Sequence, residues 1–192
     1  MKRIVVLSGL LLALVTWLAG AESQPLAPPP PDSRCSLSAS STQFDYGIQT
    51  RWQLRTLPGT GLLSPGERAL TLTAACPYSQ VLRLMLQGET GPDGQLRYGD
   101  RGQLQVRVTA AQLDGQPVGL TMSRPGKREA TAVTLPVTLT TDSELTAGEP
   151  GQALSGRTLS LQLTLTPQLT EQDARVIAQT QSEGGLSFRL LD

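Results

Sequence analysis

The chain contains no histidine. Hydrolases of the Ser-His-Asp or Cys-His kind need an imidazole to carry the proton between nucleophile and leaving group, so those mechanisms are excluded. Two cysteines with no histidine cannot complete a zinc shell. Aromatic residues make up only 4% of the chain, too few to build a sugar-stacking platform that sequence could reveal. Neither sign of charge is in excess, 16 Lys and Arg standing against 16 Asp and Glu. The basic residues are scattered; the longest cluster, Arg124 to Arg128 in SRPGKRE, reads as a solvated hairpin tip and gives no nucleic-acid footprint. The glycines do not form a phosphate loop, and GPDGQLRYGDRG lacks the alternating oxygen ligands and closing Glu of an EF-hand. The carboxylate pairs Asp93 with Asp100 and Asp142 with Glu144 fall among turn residues, where Asp serves the backbone. No catalytic residue, cofactor or metal is expected, and the chain reads as a binding or structural protein, not an enzyme.

Long apolar runs are confined to the beginning. MKR is a basic start, Ile4 to Ala19 is mostly apolar, and Ala19-Gly20-Ala21 is a small-residue cleavage site, so residues 1–21 read as a secretory signal peptide. The run is short for a bilayer span, and no second one follows, so the mature chain is expected to be exported, soluble and not membrane-spanning. Loss of Lys2 and Arg3 with the leader leaves 14 basic against 16 acidic residues, a net charge of about −2. Residues 22–34, ESQPLAPPPPDSR, hold five prolines, and the four at Pro28 to Pro31 impose an extended, polyproline-like arm. Residues 35–192 are long enough for one domain with its own core.

In GERALTLTAACPY, Leu70, Leu72, Ala74 and Cys76 share one parity, and a pleated strand sends all four to one face. Cys35 is likewise in phase with Leu37 and Ala39. Export favours an intramolecular disulfide between the two cysteines over free buried thiols. Closing the 40 residues between them contributes about 4 kcal/mol in the loop-entropy account.

Elsewhere the period is two. Strands are predicted over Ser36–Phe44, Gly66–Cys76, Val81–Gln87, Gln103–Leu113, Ala132–Thr140, Arg157–Thr166 and Leu186–Leu191. Their inward sets include Leu82, Leu84 and Leu86; Leu104, Val106 and Val108; Val133, Leu135, Val137 and Leu139; Leu159, Leu161, Leu163 and Leu165; and Leu186, Phe188 and Leu190. The opposite faces carry Ser, Thr, Gln and Arg, the pattern of antiparallel sheets wet on one side, and the whole predicts a β-sandwich. Pro136 marks an edge strand or bulge, GPDG (91–94) and LDGQ (113–116) have hairpin chemistry, and one helical turn is expected over Thr170–Val176, capped by Thr170. Trp52 has two readings, an exposed contact residue or a sandwich-edge residue covering the core.

The order of CSLSASSTQFDYG, ALTLTAACPY, GQLQVRVTAAQLDGQPV and the closing GGLSFRLLD, behind a leader and a short arm, resembles the fimbrial (pilus) subunits of the chaperone–usher pathway, closest to the fimbrial-like proteins found in such operons. The resemblance covers about Cys35 to Asp192. It implies an immunoglobulin-like, pilin-type sandwich that is incomplete and strand-accepting. Its partners would be a periplasmic pilus chaperone, an outer-membrane usher and other fimbrial subunits, and its route would run through the periplasm to the fimbrium at the cell surface. Cys35 and Cys76 would carry the family disulfide between the first two strands. Leu186, Phe188 and Leu190 would face the open groove, their strand forming the chaperone-binding edge. Two features depart from the family: the chain ends Leu191-Asp192 where an aromatic is usual, and APPPPDS replaces the alternating apolar residues of a donor arm. Prolines at 25 and 28–31 cannot donate to a ladder, so the arm is expected to be a poor donor. The alternative reading is a self-contained secreted β-sandwich, an adhesin or lectin-like binding module.

Overall fold

The computed structural model describes residues 34–91, 94–124 and 130–191. The expected leader and arm up to residue 33, Pro92 and Asp93 of GPDG, residues 125–129 of the basic cluster, and Asp192 lie outside the described residues. Fifteen strands and one 3₁₀ turn, Arg51–Gln53, occur among them, with no α-helix and no helix able to cross a membrane. In chain order the strands are β1 (Ser36–Ala39), β2 (Arg55–Thr56), β3 (Leu63–Ser64), β4 (Arg68–Val81), β5 (Arg83–Gly88), β6 (Leu96–Tyr98), β7 (Gly102–Leu113) and β8 (Gln116–Pro117), followed by β9 (Leu120–Ser123), β10 (Thr131–Val133), β11 (Val137–Leu139), β12 (Glu144–Glu149), β13 (Gln152–Ala153), β14 (Ser155–Gln168) and β15 (Leu186–Leu191).

Two sheets carry the fold. The first runs β1-β4-β14-β7-β11 and the second β10-β9-β12-β5-β15, every pairing being antiparallel. Alternation accounts for the layer between them. Leu72, Ala74, Leu159, Leu161, Val106 and Val108 of the first sheet and Leu84, Leu86, Leu145 and Ala147 of the second are buried in one cluster. Thr73 and Ser160, on the outer face, meet through their hydroxyls at 3.4 Å. The architecture is therefore the all-β antiparallel sandwich that the periodicity predicts.

The chain changes sheet by short connections, and these fix how the sheets face each other. Leu82 alone, wholly buried, separates β4 from β5. Residues 134–136 lead from β10 to β11, residues 114–119 from β7 to β9, and residues 150–154 from β12 to β14. Each connection joins strands of equal rank in the two sheets: second to second, third to third, fourth to fourth, fifth to fifth. Only the first-ranked strands, β1 and β15, face each other without a link.

Several predicted elements are corrected. The first strand stops at Ala39 and not at Phe44: Ser40 donates its N–H to Thr71 O at 2.9 Å, while its hydroxyl oxygen accepts Thr71 N–H at 2.9 Å, so a side chain replaces the carbonyl the ladder needs. The 66–76 strand extends to Val81, with a register shift opposite Gly156 and Thr158. The predicted 132–140 strand is two strands in different sheets, divided around the cis Leu135–Pro136 bond; each is an edge strand, as Pro136 indicates. Glu144, read as a turn residue, opens β12 in the middle of the second sheet and lies 3.6 Å from Arg83, while Asp142 keeps the turn with φ 62°. The turn expected over 170–176 is present, with Ala174 N–H donating to Thr170 O at 3.0 Å, Arg175 N–H to Gln172 O at 3.2 Å, and Thr170 Oγ1 capping it by accepting Asp173 N–H at 3.1 Å. LDGQ forms its hairpin, Asp114 and Gly115 both taking positive φ.

Leu161 sits in central β14 at 0% exposure. Leu161→Ala should lower stability by about 2–5 kcal/mol in denaturant unfolding, and Gln162→Ala, on the wet face, by less than about 0.5 kcal/mol. Cys35 and Cys76 are joined, clipping the start of β1 to β4. Intact mass should rise by two hydrogens on reduction, and Cys76→Ala should lose about 4 kcal/mol.

Candidate functional site

A strand at a sheet edge leaves half of its backbone groups without a ladder partner. Both unlinked strands are such edges. The register of β15 on β5 places Leu186 opposite Gly88, Phe188 opposite Leu86 and Leu190 opposite Leu84. Leu86 spends its own groups on the far side: its N–H donates to Ser143 O at 3.2 Å and its carbonyl accepts from Asp142 N–H at 2.9 Å. Phe188 and Leu86 are therefore a pair that exchanges no hydrogen bonds, and the N–H and C=O of Phe188 point away from β5. The two-residue period puts those of Leu186 and Leu190 on the same free edge.

Across the gap, Ser40 bonds towards β4, so by the same period Leu37 turns its N–H and C=O to the open side. The side chains tell the same story. Leu84 and Leu86, beneath the edge, are 0% exposed, whereas Leu37, Leu186, Phe188 and Leu190 pack against the core but are only half-buried. The seam between β1 and β15 is thus a strip of partly covered apolar side chains flanked by two rows of backbone groups that have no ladder partner among the described residues.

Each end of the seam is fixed. At one end stands the Cys35–Cys76 bond, with Gln80 Nε2 donating to Cys35 Sγ at 2.7 Å and Cys76 Sγ at 3.1 Å. At the other, Gly99, at φ 60°, donates its N–H to Glu183 O at 2.7 Å and so holds the segment that leads into β15. Gly88 is required there, because a Cβ would run into the Leu96 side chain and come within 2.8 Å of Gly185 O.

Beyond that end, Arg68 stacks 5.2 Å from the centre of the Tyr46 ring. Burial, with a smaller contribution from Tyr98, pushes the Tyr46 hydroxyl up to about 12, against an opposing pull from Arg68; burial also raises Tyr98. Arg51 of the 3₁₀ turn pairs with Glu171, whose carboxyl it holds below the ordinary range chiefly through that hydrogen bond, and Glu171 also meets Arg175 at 3.3 Å. The Arg51–Glu171 pair ties the 3₁₀ turn to the segment that follows β14. Trp52 in that turn is 90% exposed, with Arg51 5.9 Å from the centre of its ring, so it does not cover the core.

No group of three metal-ligating side chains occurs among the described residues. A depression of about 230 Å³ lies on the wet face of the first sheet, lined by Thr71, Thr109, Gln162 and Thr164 among others, with Thr109 Oγ1 donating inward to Gln162 O. It gathers no titratable group.

Sequence reading marked Leu186, Phe188 and Leu190 as one inward row but missed Leu37 as their counterpart and the Tyr46–Arg68–Tyr98 group. Parity carried the first; only the pairing order brings in the others.

No protein-family model matches the chain, and no curated protein matches it. Among solved structures it is similar to the P pilus rod subunit PapA, at 13% identity and a TM-score of 0.41, over 82% of this chain and 97% of that one.

A tyrosine raised in the folded state contributes stability below its unfolded value, and that contribution is lost as pH climbs through the folded one. The thermal midpoint should therefore fall between pH 10 and about 12, and Tyr46→Phe should flatten that fall. An unchanged slope in the variant would assign the alkaline loss to other groups.

Proposed function

We propose that the chain is a fimbrial (pilus) subunit that accepts a β-strand from a partner into the seam between β1 and β15. The observation that carries the reading is the seam itself. In an immunoglobulin-type sandwich one sheet runs A-B-E-D and the other C-F-G. Here β1-β4-β14-β7 matches the first order and β5-β15 the beginning of the second, with no strand among the described residues in the place of G. Adding a strand to such an edge satisfies the outward groups of Leu186, Phe188 and Leu190 and covers their side chains in one step.

In this reading a periodic exchange of strands drives assembly. A periplasmic chaperone lends a strand to β15 while the subunit is in transit, an outer-membrane usher receives the complex, and another fimbrial subunit then takes the chaperone's place. Cys35 and Cys76 brace β1 so that the acceptor keeps its shape while vacant. The arm at 22–34, poor as a donor, suits a tip or minor position in the fibre.

A ten-residue peptide alternating valine and threonine is the direct probe. At a hundredfold excess over its Kd it should raise the thermal midpoint by about 5–10 °C, while the same peptide with a central proline should do nothing. Phe188→Ser should weaken binding at least tenfold, and deleting residues 186–191 should abolish it. A lone chain that stays monomeric, melts high and ignores the peptide would sink the reading and favour a closed binding module.

A further inference from the structure

An open strand edge is a template for a second edge, and folds blunt theirs with short strands, prolines, bulges or charges turned inward. β10 and β11 show such devices, being three residues long and divided around Pro136. β15 shows none. Its six residues keep an unbroken register on β5, the row of Leu186, Phe188 and Leu190 packs against the core without a charge among them, and Ser187 and Arg189 stand exposed on the wet face.

A strand that covers this edge needs free N–H and C=O groups along one side and an apolar residue at every second position. β15 is itself such a strand. We propose that two copies of this chain pair antiparallel through β15, about a two-fold axis at Phe188.

The register follows from the backbone and the charges. The outward groups belong to Leu186, Phe188 and Leu190, so a ladder forms only where these residues stand opposite one another. Centring on Phe188 engages all three, Phe188 with its copy and each Leu186 with the other copy's Leu190, and exchanges about six backbone hydrogen bonds. An axis at Arg189 would set the two Arg189 side chains directly opposite, like against like. An axis at Ser187 would set Leu190 against Gly184, which lies outside the strand. With the axis at Phe188, Arg189 faces Ser187 of the other copy and Leu191 faces Gly185, where even an added Cβ would meet nothing within 4 Å.

An axis normal to the sheet keeps both first sheets on the same side, so the two β1 strands and their Leu37 rims draw together over the junction. The interface is isologous and closes at two copies. The proposal rests on the reading of β15 as an open, strand-accepting edge and gives that edge a resting state: a seam closed by a second copy is closed to any other strand until the dimer parts.

Sedimentation of the leader-free chain should show monomer and dimer in equilibrium, and excess valine–threonine peptide should convert the dimer into 1:1 chain–peptide complexes. Ser187→Glu sets a carboxylate opposite Arg189 at two places and should tighten the dimer about threefold or more, while Ser187→Arg should loosen it by as much. Neither change touches the core, because Ser187 is exposed. Mild oxidation of an equimolar mixture of Ser187→Cys and Arg189→Cys chains should give covalent pairs, since the two positions form a non-hydrogen-bonded pair with Cα atoms about 4.5 Å apart; either variant alone should give few. A chain that stays monomeric at high concentration yet binds the peptide would overturn the dimer and leave strand acceptance standing. A dimer of equal strength with glutamate or arginine at 187 would also overturn it. A dimer that follows the charges and the cysteines but ignores the peptide would uphold the pairing and count against strand acceptance.

Discussion

The hydrogen-bonding capacity of the backbone, which no amount of apolar burial can substitute for, governs this molecule. A sandwich of two antiparallel sheets has four edges, and each must be shortened, covered or left as a template. Two are dealt with by β10 and β11, three-residue strands that follow one another across the gap. The other two, β1 and β15, are left facing each other. That asymmetry shows in the side chains: Leu72, Leu84 and Leu86 beneath β4 and β5 are buried, while Leu37, Leu186, Phe188 and Leu190 at the rim are half-buried.

The same constraint explains how much could be read in advance. Where a strand is wet on one face, parity is written into the sequence. Gln103–Leu113 was expected and Gly102–Leu113 observed, and Leu186–Leu191 agrees at both ends. Parity fails where the inward residues are few or small. In β12 only Leu145 and Ala147 lie inward at 0% exposure, beside a glycine and next to a proline, so ELTAGE looks like a turn although it holds the centre of a sheet. It fails again where a hydroxyl stands in for a carbonyl, as at Ser40, because the alternation continues after the ladder has ended.

Pairing order is a different kind of information. Nothing local in LSFRLL says that its neighbour is β5 or that its other side is vacant; the vacancy is a property of the list of partners. Leu37 and Leu190 lie more than a hundred and fifty residues apart and become one site only because four short connections, down to a single residue at Leu82, force the sheets into matching rank. A resemblance of ordered motifs could suggest an open groove, but its walls are set by that connectivity.

The placement of Cys35 ahead of β1, and not within it, has a mechanical consequence. Were the chain linear, tension drawn along the segment before Cys35 would fall first on β1, a four-position ladder that could be unzipped one bond at a time. The covalent bond diverts that load into Cys76, in the interior of β4, which is laced to β14 over ten positions. Force then arrives along the strands and loads many hydrogen bonds together in shear, and β1 is left slack at the rim of the seam it frames.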